Sequence, residues 1–234
     1  MSPPVPDPVA PRRRTGRPRE SARQVVGDPT DDILGTAARL FSELGVNGTT
    51  MSRLAADVGL KQSSLYYYFS SRDEVVLALV HRANVVPLEL VDRVIAGPGT
   101  VPEKLYRFVQ GDVEALCALP FDINEVHRIA ARDREKFEDY WADRRRLERR
   151  LAGLIRAGTG EGSLREVDPR FTALTIMSND EGVQNWYRLG PPKNPGRVAR
   201  SLAQLTVAGL LPDAGRMAEI AARVEAIDKG AGPR

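Results

Sequence analysis

Residues 51–69 read Met-Ser-Arg-Leu-Ala-Ala-Asp-Val-Gly-Leu-Lys-Gln-Ser-Ser-Leu-Tyr-Tyr-Tyr-Phe, and this stretch decides the fold of the N-terminal part of the chain. Its pattern is that of two short helices joined by a tight turn. Such a motif needs a small residue where the helices cross and a residue that tolerates positive φ at the turn. Ala55 fits the crossing and Gly59 fits the turn. The apolar residues expected on the inner faces are Leu54, Val58, Leu60 and Leu65.

The second of these helices has an outer face made of hydrogen-bonding groups. Its residues are Lys61, Gln62, Ser63, Ser64, Tyr66 and Tyr67. A helix that reads base edges in the DNA major groove presents such a face. An ordinary αα-hairpin has no reason to expose three consecutive tyrosines beside glutamine and serine. The sequence therefore favours a helix-turn-helix that binds DNA over a purely structural hairpin.

The flanking residues carry the signals that begin and end helices. Asp28-Pro29 is a cap residue followed by a first-turn proline, and Gly45 is the expected end of that helix. Thr49-Thr50 predicts a cap for the next helix. Ser71 and Glu74 have the spacing of a capping box at the start of a fourth helix.

The stretch from about Thr30 to Val80 resembles the DNA-binding domain of the TetR family of bacterial repressors. That family's pattern is a helix ending near Phe-x-x-x-Gly, then Thr-Thr/Ser, Ile/Leu-Ala, a Gly-Val-Ser-x-Gly-Thr-Leu-Tyr-x-His-Phe run, and a lysine that begins helix 4. Three residues depart from it: Lys61, Ser63 and Arg72 stand where the family usually has Ser, Gly and Lys. The loss of the capping serine at position 61 costs on the order of 1 kcal/mol.

The resemblance implies a ligand-responsive regulator of transcription, of the repressor type, that binds operator DNA as a homodimer. Gln62, Ser63 and Tyr67 are the residues expected to touch bases, while helix ends and groove edges supply phosphate contacts. The full set expected to contact DNA is Arg17, Arg19, Thr50, Ser52, Arg53, Lys61, Gln62, Ser63, Ser64, Tyr66, Tyr67 and Arg72.

A basic, proline-rich arm precedes this domain. Residues 11–25 carry a charge of +5 within a chain whose net charge is +3. Met1–Arg19 contains six prolines and no apolar periodicity, so we expect this arm to be disordered when free of DNA. Its residues 14–19, Arg-Thr-Gly-Arg-Pro-Arg, resemble the Gly-Arg-Pro core of AT-hooks, whose arginines lie in narrow minor grooves. Minor-groove binding and non-specific phosphate binding are both compatible with this arm.

Length and composition describe the rest of the chain. The 234 residues leave about 150 for a second domain with its own core. No run of about 20 apolar residues predicts a membrane span, and the proline-rich start does not resemble a signal peptide. The single cysteine, Cys117, suits a reducing compartment, so we expect a cytoplasmic protein. The expected domains are the arm, 1–27, the helix-turn-helix domain, 28–80, and a C-terminal domain, 81–234.

The C-terminal residues have helical periodicity without strand alternation, so the expected fold class is all-α. Helices are expected over residues 102–119, 122–131, 134–157, 169–189, 195–211 and 214–228. Asp168-Pro169 and Asn194-Pro195 are clear helix starts. Pro87 predicts a kink or break in helix 4.

The same resemblance implies a cavity for a small effector inside the C-terminal domain. The expected effector-binding residues are Phe108, Phe121, His127, Trp141, Met177 and Trp186. Large side chains in a helical bundle are more often plain core, and a lone His127 is more often a surface or satisfied histidine. Residues 185–192 resemble the end of helix 8 in some TetR-like regulators of fatty-acid, acyl-CoA or steroid catabolism. This favours an apolar or acyl-CoA-like effector.

The resemblance also implies that the helices beginning at Pro169 and Pro195 form a four-helix dimer interface. The second of them has an apolar stripe, Val198, Leu202, Leu205 and Leu210, beside small residues. Packing within one chain could use all of this stripe. A dimer is expected on independent grounds, because two recognition helices on a two-fold axis read the half-sites of a palindrome.

Other functional classes fit the sequence less well. Two histidines, His81 and His127, without metal-ligand spacing give no catalytic metal site, and no cofactor motif is present, so we do not expect an enzyme. Asp180, Glu181 and Glu125 could form an acidic pocket, although exposed helix charge is the simpler interpretation. The alternative function is an architectural or ligand-independent DNA-binding protein, which would not need the large second domain.

Overall fold

The computed structural model describes residues 29–119, 122–187 and 194–230, and within these ranges the chain is helical with no strand. The all-α prediction is confirmed. The helices are α1 Pro29–Gly48, α2 Met51–Val58, α3 Gln62–Tyr68, α4 Arg72–Ala96, α5 Val101–Ala118, α6 Ile123–Arg132, α7 Glu138–Gly160, α8 Pro169–Gly182, α9 Gln184–Tyr187, α10 Pro195–Ala208 and α11 Met217–Gly230. None of the helices in the described ranges combines the length and the apolar character that a membrane crossing requires.

Local hydrogen bonds explain the turn between α2 and α3. The Thr50 hydroxyl accepts a hydrogen bond from the Arg53 amide at 3.1 Å and so caps α2. Gly59 follows α2 with φ 81° and ψ 20°, and its amide donates to the last carbonyls of that helix. This left-handed conformation favours glycine because it has no Cβ. Leu65 on α3 is then fully buried against α2.

The start of α4 differs in one detail from a capping box. The Ser71 hydroxyl accepts from the Glu74 amide at 3.2 Å, as expected. The Glu74 carboxylate, however, reaches the amide and the hydroxyl of Ser70, each at 2.6 Å, so the return bond is made one residue earlier. These bonds lower the pKa of Glu74, since they favour its charged form.

The sequence predicted that helices are interrupted at Gly45 and at Pro87, and the two predictions have different outcomes. The helical backbone of α1 is interrupted at Gly45, as expected, because this residue has a non-helical φ of 74° and ψ of 161°; a further short helical segment across this kink continues α1 to Gly48. Pro87 does not break α4, because the helix runs continuously from Arg72 to Ala96 with the proline inside it. Proline lacks the amide hydrogen, so α4 forgoes one backbone hydrogen bond at this point.

The C-terminal helices follow the expected order with shifted ends. Asp168 and Asn194 cap α8 and α10 through the amides of Phe171, at 2.8 Å, and Arg197, at 3.1 Å. The single helix expected over residues 169–189 is two helices, α8 and α9, and residues 188 and 189 lie outside the described residues. The expected disordered arm, residues 1–27, also lies outside them.

The buried apolar side chains form two clusters. The N-terminal cluster contains the buried faces of α1–α3 and of α4 up to Val80. It also contains residues from beyond this point, namely Leu116, Ile123, Val126, Ala130, Phe137 and Tyr140. The C-terminal cluster joins the second half of α4 to α5, α7, α8, α10 and α11. The expected domain boundary between residues 80 and 81 therefore falls inside one helix, and α6 packs with the helix-turn-helix region.

Candidate DNA-binding surface and ligand cavity

Most polar side chains of α3 and of its cap are exposed. Lys61, Gln62 and Ser63 are exposed at its start, and Tyr67 is 86% exposed. Ser64 is half-buried, while Tyr66 is 45% exposed. Thr50, Ser52 and Arg53 are exposed on the preceding helix and its cap. Most of the residues predicted from sequence to contact DNA are therefore exposed, with Ser64 and Arg72 half-buried, while Arg17 and Arg19 lie outside the described residues.

Two arginines that are predicted to contact DNA, Arg53 and Arg72, already interact with other residues of the protein. The Arg53 Nε and the Arg39 Nη2 each lie 2.9 Å from the Asp57 carboxylate. The hydrogen bond from Arg39, followed by the charge of Arg53, lowers the pKa of Asp57. Arg72 at the start of α4 is half-buried and donates to the Asn47 carbonyl at 3.3 Å. Arg72 thus ties α4 to the end of α1, a contact that sequence did not predict.

A cavity of about 380 Å³ lies where α4, α5, α6, α7 and α8 meet. Its walls are mainly apolar. The lining residues are Leu79, Asn84, Val86, Pro87, Asp112, Ala115, Leu116, Ala118, Leu119, Ile123, Arg144, Leu147, Met177 and Glu181. A volume in this range, with few polar groups in an apolar wall, is typical of small-molecule sites.

An ion-pair network closes one side of the cavity. The Glu181 carboxylate lies 2.5 Å from the Arg144 guanidinium and 3.1 Å from His127 Nε2. The other nitrogen of this ring, Nδ1, is hydrogen-bonded to the Tyr140 hydroxyl. Burial would raise the pKa of Glu181, but His127 and Arg144 outweigh burial and lower it. Glu181 is therefore a carboxylate whose charge is compensated.

A second pair of acidic groups lies deeper and lacks this compensation. Asp112 is 7% exposed and lines the cavity, and Asp180 is fully buried behind it. The two carboxyl groups are close enough to influence each other's pKa, and a proton on one of them would allow a hydrogen bond to the other. Among the described residues neither oxygen of Asp180 has a hydrogen-bond donor. Burial first, and then the neighbouring negative charge, raises the pKa of Asp112 to about 7 and raises that of Asp180 well above its ordinary value.

These positions correct the simpler expectation for Asp180 and Glu181, which are not exposed helix charges. Sequence reasoning also missed Asn84, Asp112 and Arg144. The signal was present for Asp112, since it interrupts the apolar stripe of α5, which also contains Leu105, Phe108, Val109, Val113 and Leu116. A carboxylate inside such a stripe is buried and indicates a site. The side chain of Glu125 lies outside the described residues.

The six residues expected to bind an effector do not surround one cavity. Met177 lines the cavity, and His127 reaches its wall through Glu181. Phe108 is fully buried in the C-terminal cluster, and Trp141 packs in an aromatic group with His127 and Tyr140. Trp186 is 47% exposed beside α10. Phe121 lies outside the described residues.

A third feature is an apolar surface on α8, α9 and α10. Its exposed members are Phe171, 70% exposed, Leu174, 42%, Trp186, 47%, and Leu205, 73%. An open groove of about 590 Å³ runs along it between Trp186 and Leu205. The stripe expected on α10 is divided, because Leu210 is buried within the chain and Val198 and Leu202 are half-buried, while Leu205 is exposed.

Two family models match this chain. The model described as "Bacterial regulatory proteins, tetR family" matches residues 33–79, and the model described as "Tetracyclin repressor-like, C-terminal domain" matches residues 98–210. The chain belongs to the TetR family. TetR-family proteins are DNA-binding regulators of transcription rather than enzymes, so the residues of α2 and α3 form the DNA-binding motif of a regulator.

Several transcriptional regulators are similar to this chain in sequence or in fold. The transcriptional repressor KstR2 of Mycobacterium tuberculosis H37Rv is 23% identical over 185 residues, covering 76% of this chain and 91% of KstR2. The structure of KstR2, a ketosteroid transcriptional regulator, has a TM-score of 0.69 at 21% identity and covers 80% of this chain and 97% of that one. The TetR-family regulator PfmR from Thermus thermophilus has a TM-score of 0.67 at 26% identity, with 75% and 96% coverage. AibR, in complex with isovaleryl coenzyme A and operator DNA, has a TM-score of 0.67 at 20% identity, with 80% and 100% coverage.

Proposed function

We propose that this TetR-family protein is a homodimeric repressor that binds a palindromic operator and is released when a small apolar molecule fills the cavity. The observation that carries this proposal is the composition of the cavity wall. Leu79, Leu116 and Ile123 belong to the N-terminal cluster, while Leu147 and Met177 belong to the C-terminal cluster. A ligand in this cavity contacts both clusters at once.

The coupling to DNA follows from α4 and α6. α4 begins beside the helix-turn-helix at Arg72, passes the cavity at Asn84 and Pro87, and ends in the C-terminal cluster at Val94. α6 contributes Ile123 to the cavity and packs Val126 against the N-terminal cluster. A ligand that fits better when these helices have moved apart shifts the population away from the DNA-binding arrangement by its differential affinity.

The mainly apolar wall supports an apolar or acyl-CoA-like effector. KstR2 is named as a ketosteroid regulator, and the AibR complex contains isovaleryl coenzyme A. The ketosteroid and the isovaleryl group named for these two proteins are both largely apolar, like most of the cavity wall.

The exposed apolar surface on α8, α9 and α10 supports the dimer. A side chain as large as Leu205, exposed at 73%, is costly in water and gains free energy when a second copy covers it. We expect Leu205→Asp to convert the protein to a monomer in sedimentation analysis and to weaken operator binding. A dimer that persists in this variant would place the interface elsewhere.

The regulatory proposal is tested by filling the cavity. Operator fragments are first recovered by sequencing the DNA that the purified protein retains, and apolar compounds are then screened for operator release by fluorescence anisotropy. Ala115→Trp places an indole in the cavity wall, and Ala222→Trp makes the same change on the exposed face of α11. We expect Ala115→Trp to abolish the ligand response and Ala222→Trp to retain it.

A ligand-independent, architectural DNA-binding protein is the competing function. It predicts that no compound releases the operator and that both tryptophan variants behave alike. Release that is lost only in Ala115→Trp would exclude it.

A further inference from the structure

The charges around the cavity do not balance. Three carboxyl groups, Asp112, Asp180 and Glu181, face one guanidinium, that of Arg144. Arg144 and His127 are both engaged by Glu181, so this carboxylate is compensated. No positively charged side chain is paired with Asp112 or Asp180 among the described residues, so protonation is what limits the negative charge of this pair. Burying an uncompensated carboxylate is costly, and a counter-charge in the cavity would remove that cost.

The cavity has room for a positively charged group next to Asp112. Asp112 is the member of the pair that lines the cavity, and its neighbours in the wall are mostly apolar. Asn84 also lines the cavity at 7% exposure, and its Nδ2 has no hydrogen-bond partner among the described residues. The site therefore holds an acidic group and an unpartnered polar group beside apolar walls. Within the described residues, no three potential metal ligands are grouped so as to hold a metal ion.

We propose that the ligand of this cavity is a small apolar molecule with one positively charged amine, and that its ammonium group binds the Asp112 carboxylate. This inference rests on the proposed ligand-responsive function, and of the two effector classes named there it keeps the apolar molecule, with an amine head group, in place of the acyl-CoA-like one. An apolar amine of this kind places its hydrocarbon against the walls formed by Leu116, Leu147 and Met177. An anionic head group would be repelled by the Asp112 carboxylate once this group is charged, and it would gain no ion pair from Asp112 when this group is neutral.

Protons are conserved in the binding step. Below its raised pKa, Asp112 is neutral, so the arriving ammonium displaces its proton to solvent. Asp180, whose pKa is raised well above its ordinary value, keeps its own proton, and this proton can be shared with the Asp112 carboxylate once the latter is charged. The charged groups that act on Asp112 are Asp180 and Glu181 on α8 and Arg144 on α7. Because Arg144 is held by Glu181, Asp112 is the carboxyl group free to pair with a ligand.

The test compares head groups on one rigid hydrocarbon body. Adamantanamine, adamantanol and adamantanecarboxylate are titrated by calorimetry into the full-length protein without DNA. At a pH above 7 we expect the amine to bind about tenfold more tightly than the alcohol, because its hydrogen bond to Asp112 is charge-assisted. The carboxylate should bind more weakly than either. Between pH 5 and 7 the affinity for the amine should rise by up to about tenfold per pH unit, with release of a proton, while that for the alcohol changes little.

Three variants identify the group responsible. Asp112→Asn should remove both the preference for the amine and the pH dependence, whereas Glu138→Gln, at an exposed carboxylate, should change neither. Asp180→Asn supplies a permanent donor to Asp112, so it should keep amine binding and move the pH midpoint downward. Asp180→Asn keeps the test informative if Asp112→Asn fails to fold.

Three results would overturn the inference: a carboxylate that binds as tightly as the amine, an Asp112→Asn variant with an unchanged amine preference, or no binding of the amine at millimolar concentration. Operator release is measured separately. If the amine binds through Asp112 but does not release operator DNA, the ligand class stands and the proposed regulatory function fails.

Discussion

Base and phosphate contacts should separate among the residues around α3 and the start of α4. Gln62 is exposed at the start of α3, where its amide can pair with a base edge, so Gln62→Ala should cost about 1–3 kcal/mol of discrimination between operator and scrambled DNA. Arg72→Ala should weaken binding to both DNAs alike, because a phosphate contact carries no sequence information. Anisotropy titrations with the two DNAs measure this difference.

Arg72 needs one control, since its guanidinium also donates to the Asn47 carbonyl. Thermal unfolding of Arg72→Ala shows how much of its effect comes from a loosened connection between α1 and α4. Equal loss of discrimination in the two variants would contradict the division between base and phosphate contacts.

The acidic pair predicts an unusual dependence of stability on pH. The folded state raises the pKa of Asp112 to about 7, so between pH 4 and 7 it binds more protons than the unfolded state. Stability from this group is therefore present at low pH and is lost as pH rises through 7. Asp112→Asn removes the cost of the charged form and should raise the free energy of unfolding by about 1–3 kcal/mol at pH 8. Denaturant titrations should find a much smaller gain at pH 5, and an equal gain at both would contradict the assignment.

Among the helices, the turn after α2 was predictable from sequence because the residues that it requires are adjacent in the chain.

The role of Gly59 in this turn can be tested by comparison with a second glycine, Gly35. An added Cβ would meet no atom within 4 Å at Gly59 or at Gly35, but only Gly59 has positive φ. Gly59→Ala should lower the free energy of unfolding by about 1–2 kcal/mol, while Gly35→Ala, in the middle of α1, should raise it by about 0.5–1 kcal/mol. Urea denaturation measures both, and a similar sign in the two variants would show that φ is not the cause.

The ligand cavity was less predictable than the turn, because five helices distant in sequence form it. Sequence grouped Phe108, Trp141 and Trp186 by their size alone, and packing separates them. The polar members were better guides, since Asp112 on α5 and Asp180 on α8 each interrupt an apolar stripe. Helical periodicity indicates which face of each helix is buried, but it does not indicate which helices pack against each other.

Over the whole molecule, positive charge is concentrated in the N-terminal arm. Deletion of Met1–Arg19 removes five arginines and should leave the fold and the dimer intact while weakening DNA binding. If about three phosphate contacts are lost, the slope of log K against log salt becomes shallower by roughly 2.7. Anisotropy titrations at several salt concentrations measure it, and an unchanged slope would show that the arm does not contact DNA.

The N-terminal cluster contains residues from both sides of the expected domain boundary between residues 80 and 81. A fragment ending near residue 80 leaves behind Val126, Phe137 and Tyr140, and it would present to water the apolar face that these side chains cover. Melting should therefore be a single event for both halves, with one endotherm and calorimetric and van't Hoff enthalpies that agree once dissociation of subunits is included. The excised helix-turn-helix would then be an aggregation-prone peptide, and a designer who wished to graft this DNA-reading head onto another protein would have to transplant α6 and the start of α7 with it.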